Sequence, residues 1–434
     1  MKKENMRRYF QFFLIVLAAG VIYPVIYLRT NYQETMLTVF NLGLPDLNNF
    51  YSLLGMAFVV GYIPSGLLSD RFSAKWLISI SLIGTAVCGF WFAQVPSKGA
   101  VNIIFILWGI FSVFTFWSSH MKIVKMLAKS SEEGRFFGIL DGGRGVIEAL
   151  MGTLGLAFFA AILGTSTTVA DKTSALVFVI TLYSAITLVT GVLIAIFVEN
   201  DEKLSKHAEH KGERAESEKF HLADVGTLLK NKFVYLMGGI IFMGYAVYWT
   251  VYYVGGFLQT NVGVSAVTVG TVTVIVLWMR PVGGFIGGFL ADKIGRTKTI
   301  SGAIIGGSVL LVITAITPVT TSPMLFYVLI ILLGAFLYAI RGTYWSILGQ
   351  SKIQASMMGT AIGLISFIGY LPDIILPQMN TALWNTFGDN GGYNAYFLVS
   401  AALGVAGVLI IIVYNRMHKA SLAKIIVEPV MVTK

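Results

Sequence analysis

The apolar residues of this chain come in runs of about 20, the length an α-helix needs to cross the hydrocarbon of a bilayer. Twelve such runs can be drawn, at about 9–29, 48–69, 76–95, 101–120, 135–163 and 173–198, then at about 233–257, 266–290, 299–318, 323–346, 357–379 and 393–415. Each ends in a short polar or basic segment. In hydrocarbon every backbone N–H and C=O must find its partner within the protein, so runs of this kind form spanning helices. Composition argues against a soluble alternative: 56% of the 434 residues are hydrophobic and 12% charged, against about 45–50% and about 25% in a soluble domain. Too little polar surface is left to cover a water-exposed globule. The first run outlasts a signal peptide's apolar core of about 7–15 residues and no convincing cleavage site follows, so it is read as a span.

Orientation follows from the basic residues. Of the 31 Lys and Arg, 25 fall on one side when the runs cross in alternation, and only Arg29, Lys98 and Lys172 fall on the other. Cytoplasmic loops carry such an excess, which puts both termini of this multi-pass chain in the cytoplasm. The formal charge of +10 therefore reflects topology, not a nucleic-acid surface. Glu199 to Lys232 is the one long polar stretch and reads as a solvated linker. The expected division is an N-terminal bundle at 1–198, a linker at 199–232, a C-terminal bundle at 233–416 and a tail at 417–434. Cys88 is the single cysteine, which excludes an internal disulfide or a cysteine metal cluster. The histidines His120, His207, His210, His221 and His418 form no HExxH pattern, and His120 reads as a polar residue at the interfacial end of span four. No metal or cofactor is expected. Without a Walker loop, a dinucleotide fingerprint or a nucleophile elbow, neither an ATP-driven pump nor an enzyme is expected.

The two halves repeat a motif. Gly66-Leu67-Leu68-Ser69-Asp70-Arg71 follows span two, and Gly288-Phe289-Leu290-Ala291-Asp292-Lys293 follows span eight, continuing as Ile294-Gly295-Arg296-Thr297-Lys298. Both fit G-x-x-x-D-[RK], a small residue for close helix approach followed by a charge cluster that can latch helices at the cytoplasmic face. With this repeat the chain resembles the major facilitator superfamily across essentially its whole length. The resemblance implies an all-α membrane fold of twelve transmembrane helices in two pseudo-symmetric six-helix bundles. It also implies a gating cluster in which Arg135, from Glu133-Gly134-Arg135, joins Asp70 and Arg71, with Asp292, Lys293 and Arg296 as the second copy. The first copy departs from the pattern at Ser73 and Ala74. The segments Gly134–Gly138, Asp141–Gly145 and Phe367–Tyr370 resemble a YihN-like branch of bacterial inner-membrane transporters.

Ionisable residues inside a span are costly unless paired or facing water, so each is a candidate for function. Asp141, Arg144 and Glu148 lie on one face of span five at helical spacing. Arg280 precedes Pro281 in span eight, Arg341 lies in span ten toward the inner side, and Asp373 follows Pro372 in span eleven. In the superfamily, spans one, four, seven and ten line the cavity, flanked by two, five, eight and eleven, so the resemblance places all these charges near it. Three arginines favour an anionic solute, because guanidinium offers paired donors to a carboxylate or phosphate. The opposing reading is that Asp141, Glu148 and Asp373 neutralise the arginines pairwise. Those three carboxylates are also the candidates for proton coupling. Tyr245, Tyr248, Trp249 and Tyr252 form a stripe on span seven, and Tyr23 and Tyr27 flank Pro24 in span one. Such aromatic faces suit sugars or organic acids, and equally suit helix packing.

The expected function is alternating-access transport, by a monomer in the lipid bilayer, of a small polar solute (an organic anion or sugar derivative) with a proton as coupling ion. An anion antiporter, a multidrug exporter and a non-transporting sensor remain open on the same scaffold. On this reading Arg144→Ala and Arg280→Ala each abolish uptake while leaving folded protein in the membrane. Uptake at the parent rate by both variants is the result that removes them from the anion site.

Overall fold

Because a spanning segment must pair its own backbone groups, the polypeptide is helical through nearly all the residues that the computed structural model describes, namely 2–128, 132–204, 226, 228–350 and 358–427. The first half comprises α1 (Lys2–Val21), α2 (Arg29–Val39), α3 (Leu44–Arg71), α4 (Ala74–Phe92), α5 (Lys98–Gly109), α6 (Trp117–Leu127), α7 (Glu133–Leu163) and α8 (Val169–Phe197). The second half comprises α9 (Lys232–Tyr248), α10 (Val254–Thr260), α11 (Ala266–Ile294), α12 (Arg296–Ile316), α13 (Pro323–Thr343), α14 (Met358–Gly369) and α15 (Pro372–Val427). Ten helical stretches among the described residues are long and apolar enough to cross a membrane. The broken first span, α1 with α2, and the 28-residue α3 make up the twelve-helix architecture. α15 serves two spans, bent where Gly388 takes φ 72°, a left-handed backbone that glycine adopts without a Cβ clash.

Several spans are not continuous helices. Span one turns between α1 and α2, where Pro24 lacks an N–H and Tyr27 N donates to Tyr23 O at 2.9 Å. Span four widens through a π-turn at Ile110–Phe114, and span seven tightens into a 3₁₀ turn at Trp249–Tyr252. Span ten passes into a 3₁₀ turn at Tyr344–Gln350, and span eleven breaks between Gly369 and Pro372. Span one also runs further than its apolar pattern indicates. The helix resumes at Arg29 and carries that arginine into the protein, fully buried. His120 departs from expectation too: it is 3% exposed, with its ring 4.7 Å from Phe116 and 5.5 Å from Trp117, so it packs inside the bundle instead of sitting at the interface.

On the face that carries Lys2, the start of the linker is fastened to the first half. Asp201 caps α4, accepting from Ser73 Oγ and Ala74 N at 3.0 Å, and pairs with Lys122 at 2.8 Å. The signature loop's departure at Ser73 and Ala74 is thus filled by a carboxylate from the linker. Residues 205–225 and 227, which include His207, His210 and His221, lie outside the described residues.

The halves meet on the opposite, far face. Ser52 Oγ of α3 donates to Ile374 O of α15 at 3.0 Å, and Gln378 Nε2 donates back to Ser52 Oγ at 3.0 Å. Gly55 makes this approach possible: a Cβ there would stand 2.5 Å from Asp373 O. Toward the Lys2 face the corresponding helices separate. A Cβ at Gly66 (α3), Gly138 and Gly142 (α7), Gly284 and Gly288 (α11) or Gly363 (α14) would meet nothing within 4 Å. Among the described residues the halves are thus bonded together on the far face, while on the Lys2 face these glycines leave free space beside the helices.

Gly55→Ala is expected to lower the melting temperature in detergent, at a cost of about 1–3 kcal/mol for overpacking. Gly66→Ala is expected to leave it unchanged. Equal melting of the two variants would contradict the α3–α15 contact.

Candidate functional site

The broken spans line a cavity between the halves whose empty space, with the solvent at its mouth, is about 950 Å³. Irregular backbone at membrane depth is tolerated where it lines such a space, and the lining includes Tyr23, Pro24 and Tyr27 from the first break, Val113 from the π-turn, and Val251 and Tyr252 from the 3₁₀ turn. Of the charged candidates, Arg144, Glu148, Arg280, Arg341 and Asp373 all reach the cavity wall, as do Tyr23, Tyr27, Tyr245, Tyr248 and Tyr252.

Glu148 is the hub of the charges. Its Oε1 accepts from Arg144 Nε on the same helix at 2.8 Å, and its Oε2 accepts from Arg280 Nη1 across the divide between the halves. The spacing explains the first bond, since residues four apart in a helix are neighbours. Gly145 explains the second, because its missing Cβ leaves the space in which the Arg280 stem lies, 3.0 Å from where that atom would be. Arg144 also sits 4.3 Å from the centre of the Tyr23 ring. Asp141 does not share this burial. Its side chain is 71% exposed, with one oxygen 3.6 Å from Arg280 Nη2, which places it outside the cavity wall and makes it a weak partner.

Arg341 and Asp373 do not complete a pairwise neutralisation. Asp373 is 3% exposed, and its Oδ1 accepts from two neutral donors, Tyr245 OH and Trp249 Nε1, both at 2.8 Å. Trp249 therefore stands behind the wall as a support for Asp373. The Arg341 guanidinium lies 4.8 Å from the Tyr248 ring centre and 5.5 Å from that of Tyr245. Its Nη1 is buried without a hydrogen-bond partner, and no carboxylate among the described residues pairs with it. Aromatic faces attract the cation but leave its N–H groups unsatisfied.

The rest of the wall is phenolic. Tyr27 stacks on Tyr252 at 5.0 Å, and Tyr62 on Tyr370 at 5.7 Å. Sequence reasoning missed Tyr62, Trp117, Tyr338 and Tyr370, all of which line the cavity. Tyr338 was recoverable, since it stands one helical turn before Arg341. Tyr62 and Tyr370 each stand two residues before a proline in a span, where helix irregularity is to be expected.

The gating candidates are scattered in this conformation. Arg71, Arg135, Asp292 and Lys293 are exposed on the Lys2 side, without an ion pair among the described residues, and Arg296 Nη1 donates to Ser346 O at 2.9 Å. Asp70 lies at the end of α3, and its side chain is outside the described set.

The far end of the cavity is sealed by a group that sequence reasoning placed in an outer loop. Arg29 Nη2 donates to Gln33 Oε1 at 2.8 Å, and both terminal nitrogens donate to Asn48 Oδ1 at 3.2 Å. The second half closes around this cluster. Tyr253 OH donates to the same Asn48 Oδ1 at 3.1 Å, Asn48 Nδ2 donates to Asn380 at 2.8 Å and Thr381 at 3.1 Å, and Gln33 Nε2 donates to Tyr393 OH at 2.6 Å.

Glu148→Gln is expected to destabilise the folded protein by about 3–5 kcal/mol, because it strands two buried cations. Adding Arg280→Met is expected to restore part of the loss in the detergent melting curve. A single variant as stable as the parent would show that the hub carries no structural weight.

Residues 9–377 match the Major Facilitator Superfamily. The inner membrane protein YqcE of Escherichia coli (strain K12) is 27% identical over 432 residues, covering 98% of each chain. The inner membrane protein YihN of the same organism is 26% identical over 407 residues, covering 92% of this chain and 93% of its own. Among solved structures, a bacterial homologue of the human lysosomal transporter Spinster, in an inward-facing and unoccupied conformation, aligns with a TM-score of 0.68 at 14% identity over 95% of this chain and 98% of its own. The nucleoside transporter NupG aligns with a TM-score of 0.69 at 14% identity over 94% and 98%. At such identities the structural likeness speaks for the fold alone.

Proposed function

This chain belongs to the Major Facilitator Superfamily, and on that premise we propose that it is a proton-coupled carrier of a small organic anion or anionic sugar derivative. One observation carries the choice of an anion: Arg341 presents a buried guanidinium nitrogen with no acceptor in the wall of the central cavity. A buried donor left unpaired costs about 1–3 kcal/mol, and a solute carboxylate or phosphate bound there would recover it. Arg144 and Arg280 have a different task in this reading. Glu148 occupies both, so they tie the halves together and set the floor against which the solute rests. The phenols of Tyr23, Tyr27, Tyr245, Tyr248 and Tyr252 supply flat apolar contact with hydroxyl tips, which suits a hydroxylated carbon skeleton.

Proton coupling falls to Asp373 before Glu148 or Asp141. Protonating Glu148 would strand two arginines, whereas Asp373 is held by a phenol and an indole that lose no ionic partner when it becomes neutral. Transport proceeds by rocking of the two halves, taken as 1–198 and 233–416 with 199–232 between them and 417–434 as a tail. The open Lys2 face is the cytoplasmic one, with both termini inside, in a monomer spanning the bacterial inner membrane. Asp70, Arg71 and Arg135 on the first half, and Asp292, Lys293 and Arg296 on the second, are the two copies of the gating cluster that acts when that face closes.

A thermal-shift screen of the purified protein against sugar acids, sugar phosphates, nitrate and amino acids is expected to find an anion that raises the melting temperature, since a ligand at 100 times its Kd stabilises by about 2.7 kcal/mol. Arg341→Ala is expected to weaken that ligand at least about tenfold, the scale of a lost hydrogen bond to a charged group. In proteoliposomes the parent accumulates the same anion under an inward proton gradient. Equal stabilisation by the anion and its neutral analogue, or undiminished binding by Arg341→Ala, would remove the anion assignment.

A further inference from the structure

The far-face seal contains a charge that the lock itself does not require. Arg29 is fully buried, yet every group bonded to or stacked on its guanidinium is neutral. Asn48 and Gln33 supply amide oxygens, while the rings of Tyr253 and Tyr51 lie 4.3 and 4.8 Å away. Its Nε has no hydrogen-bond partner, and no carboxylate among the described residues pairs with it. Glu34 is reached only through Gln33, whose Nε2 donates to Glu34 Oε1 at 3.0 Å. A neutral hydrogen-bonding residue would close the same gap without the cost of burying a cation.

Its position suggests why a cation is kept. The next three residues along α2, Thr30, Asn31 and Tyr32, line the cavity. The bonds that hold Asn48 and Gln33 in place around Arg29 come from Tyr253, Asn380, Thr381 and Tyr393, all on the second half. Parting the halves on the far face removes those four together with the Tyr253 ring. Asn48, Gln33 and Tyr51 stay with Arg29 on the first half. The guanidinium then stands at the far end of the cavity, next to the lining residues Thr30 and Asn31, with no carboxylate bonded to it.

We propose that Arg29 is a second anion-binding group of the transport path, held out of water in this conformation and presented to an anionic solute when the far face opens. The inference rests on the anion reading of the cavity and extends it to the other side of the membrane. Arg341 holds the anion in the open-to-Lys2 state, and Arg29 meets it at the far mouth. Arg29 thereby links the two events, because the separation that opens the mouth is also what uncovers the charge.

The test reads local charge and needs no knowledge of the solute. Cys88 is the single cysteine and is buried, so Cys88→Ala gives a background in which Thr381→Cys, one Asn48 side chain away from Arg29, is the only thiol. Intact cells are treated from outside with a sulfonate-bearing (anionic) or trimethylammonium-bearing (cationic) methanethiosulfonate, both membrane-impermeant. In each case the cysteine thiolate attacks the reagent's sulfenyl sulfur, forming a mixed disulfide and expelling methanesulfinate. With Arg29 present the anionic reagent is favoured. In Arg29→Gln at low ionic strength the ratio of anionic to cationic rates falls about fourfold, the effect of one unit charge at roughly 10 Å in an aqueous dielectric. Arg29→Lys keeps the ratio. Should Arg29→Gln fail to reach the membrane, the same ratio in the Arg29 protein is measured at rising ionic strength, where it is expected to fall as the charge is screened. A smaller fall in Arg29→Gln, a ratio insensitive to salt, or a thiol that no reagent reaches from outside overturns the proposal. Failure of Arg341-dependent binding with the charge ratio intact would instead count against the cavity reading alone.

Discussion

A single buried carboxylate holds the centre of this molecule together. Glu148 accepts from an arginine on its own helix and from another on the opposite half, so the two bundles share one acceptor at mid-depth. Burying such a triad gains little net stability over apolar packing of the same volume. Breaking it is expensive, which makes it a selector of geometry. The bond from Arg280 can form only if α7 and α11 approach at one height and one rotation, and Gly145 leaves room for that approach alone. The cavity, the far-face seal and the free space on the Lys2 face are all arranged about this joint.

Around the joint, the protein concentrates its backbone irregularities where they meet the cavity. Spans one, four, seven, ten and eleven each depart from regular α-helix by a turn, a π-segment, a 3₁₀ segment or a proline break. α4, α8 and α12, by contrast, are uninterrupted. A break frees carbonyls and lets consecutive side chains point into the same space, which a straight helix with 3.6 residues per turn does not allow. Tyr23 and Tyr27, and likewise Tyr248 and Tyr252, stand four residues apart on one helical face, whereas the adjacent Val251 and Tyr252 reach the cavity together at the 3₁₀ turn.

The sequence made the twelve spans, the duplicated loop and the charged residues of the cavity legible, because each rests on a local pattern: apolar length, a repeated hexapeptide, an ionisable group where none should be free of cost. It did not disclose which charges pair. Asp141, Arg144 and Glu148 share a helical face, yet Arg280, 132 positions from Glu148, takes the second oxygen of Glu148. Asp141 keeps only a longer contact with the same arginine, 3.6 Å from Nη2. Pairing across halves depends on the tertiary approach, which no spacing encodes. Arg29 was misplaced for a related reason. A charge at the end of an apolar run looks like a loop residue, and only the turn at Pro24 followed by resumed helix carries it inward. The phenols of Tyr62 and Tyr370 were hidden because a tyrosine in a span is equally at home in packing and at an interface.

The bare glycines on the Lys2 side give the two halves a surface of a particular kind. Backbone without side chains can be brought into contact at little steric cost, so Gly66, Gly138, Gly142, Gly284, Gly288 and Gly363 leave these helices free to close on one another at short range. Here a methyl group added to any of them has no neighbour to strike among the described residues. Its cost would appear only after closure. Substitutions along this seam would thus act as weights on a balance between conformers, shifting occupancy while leaving each conformer's own packing intact.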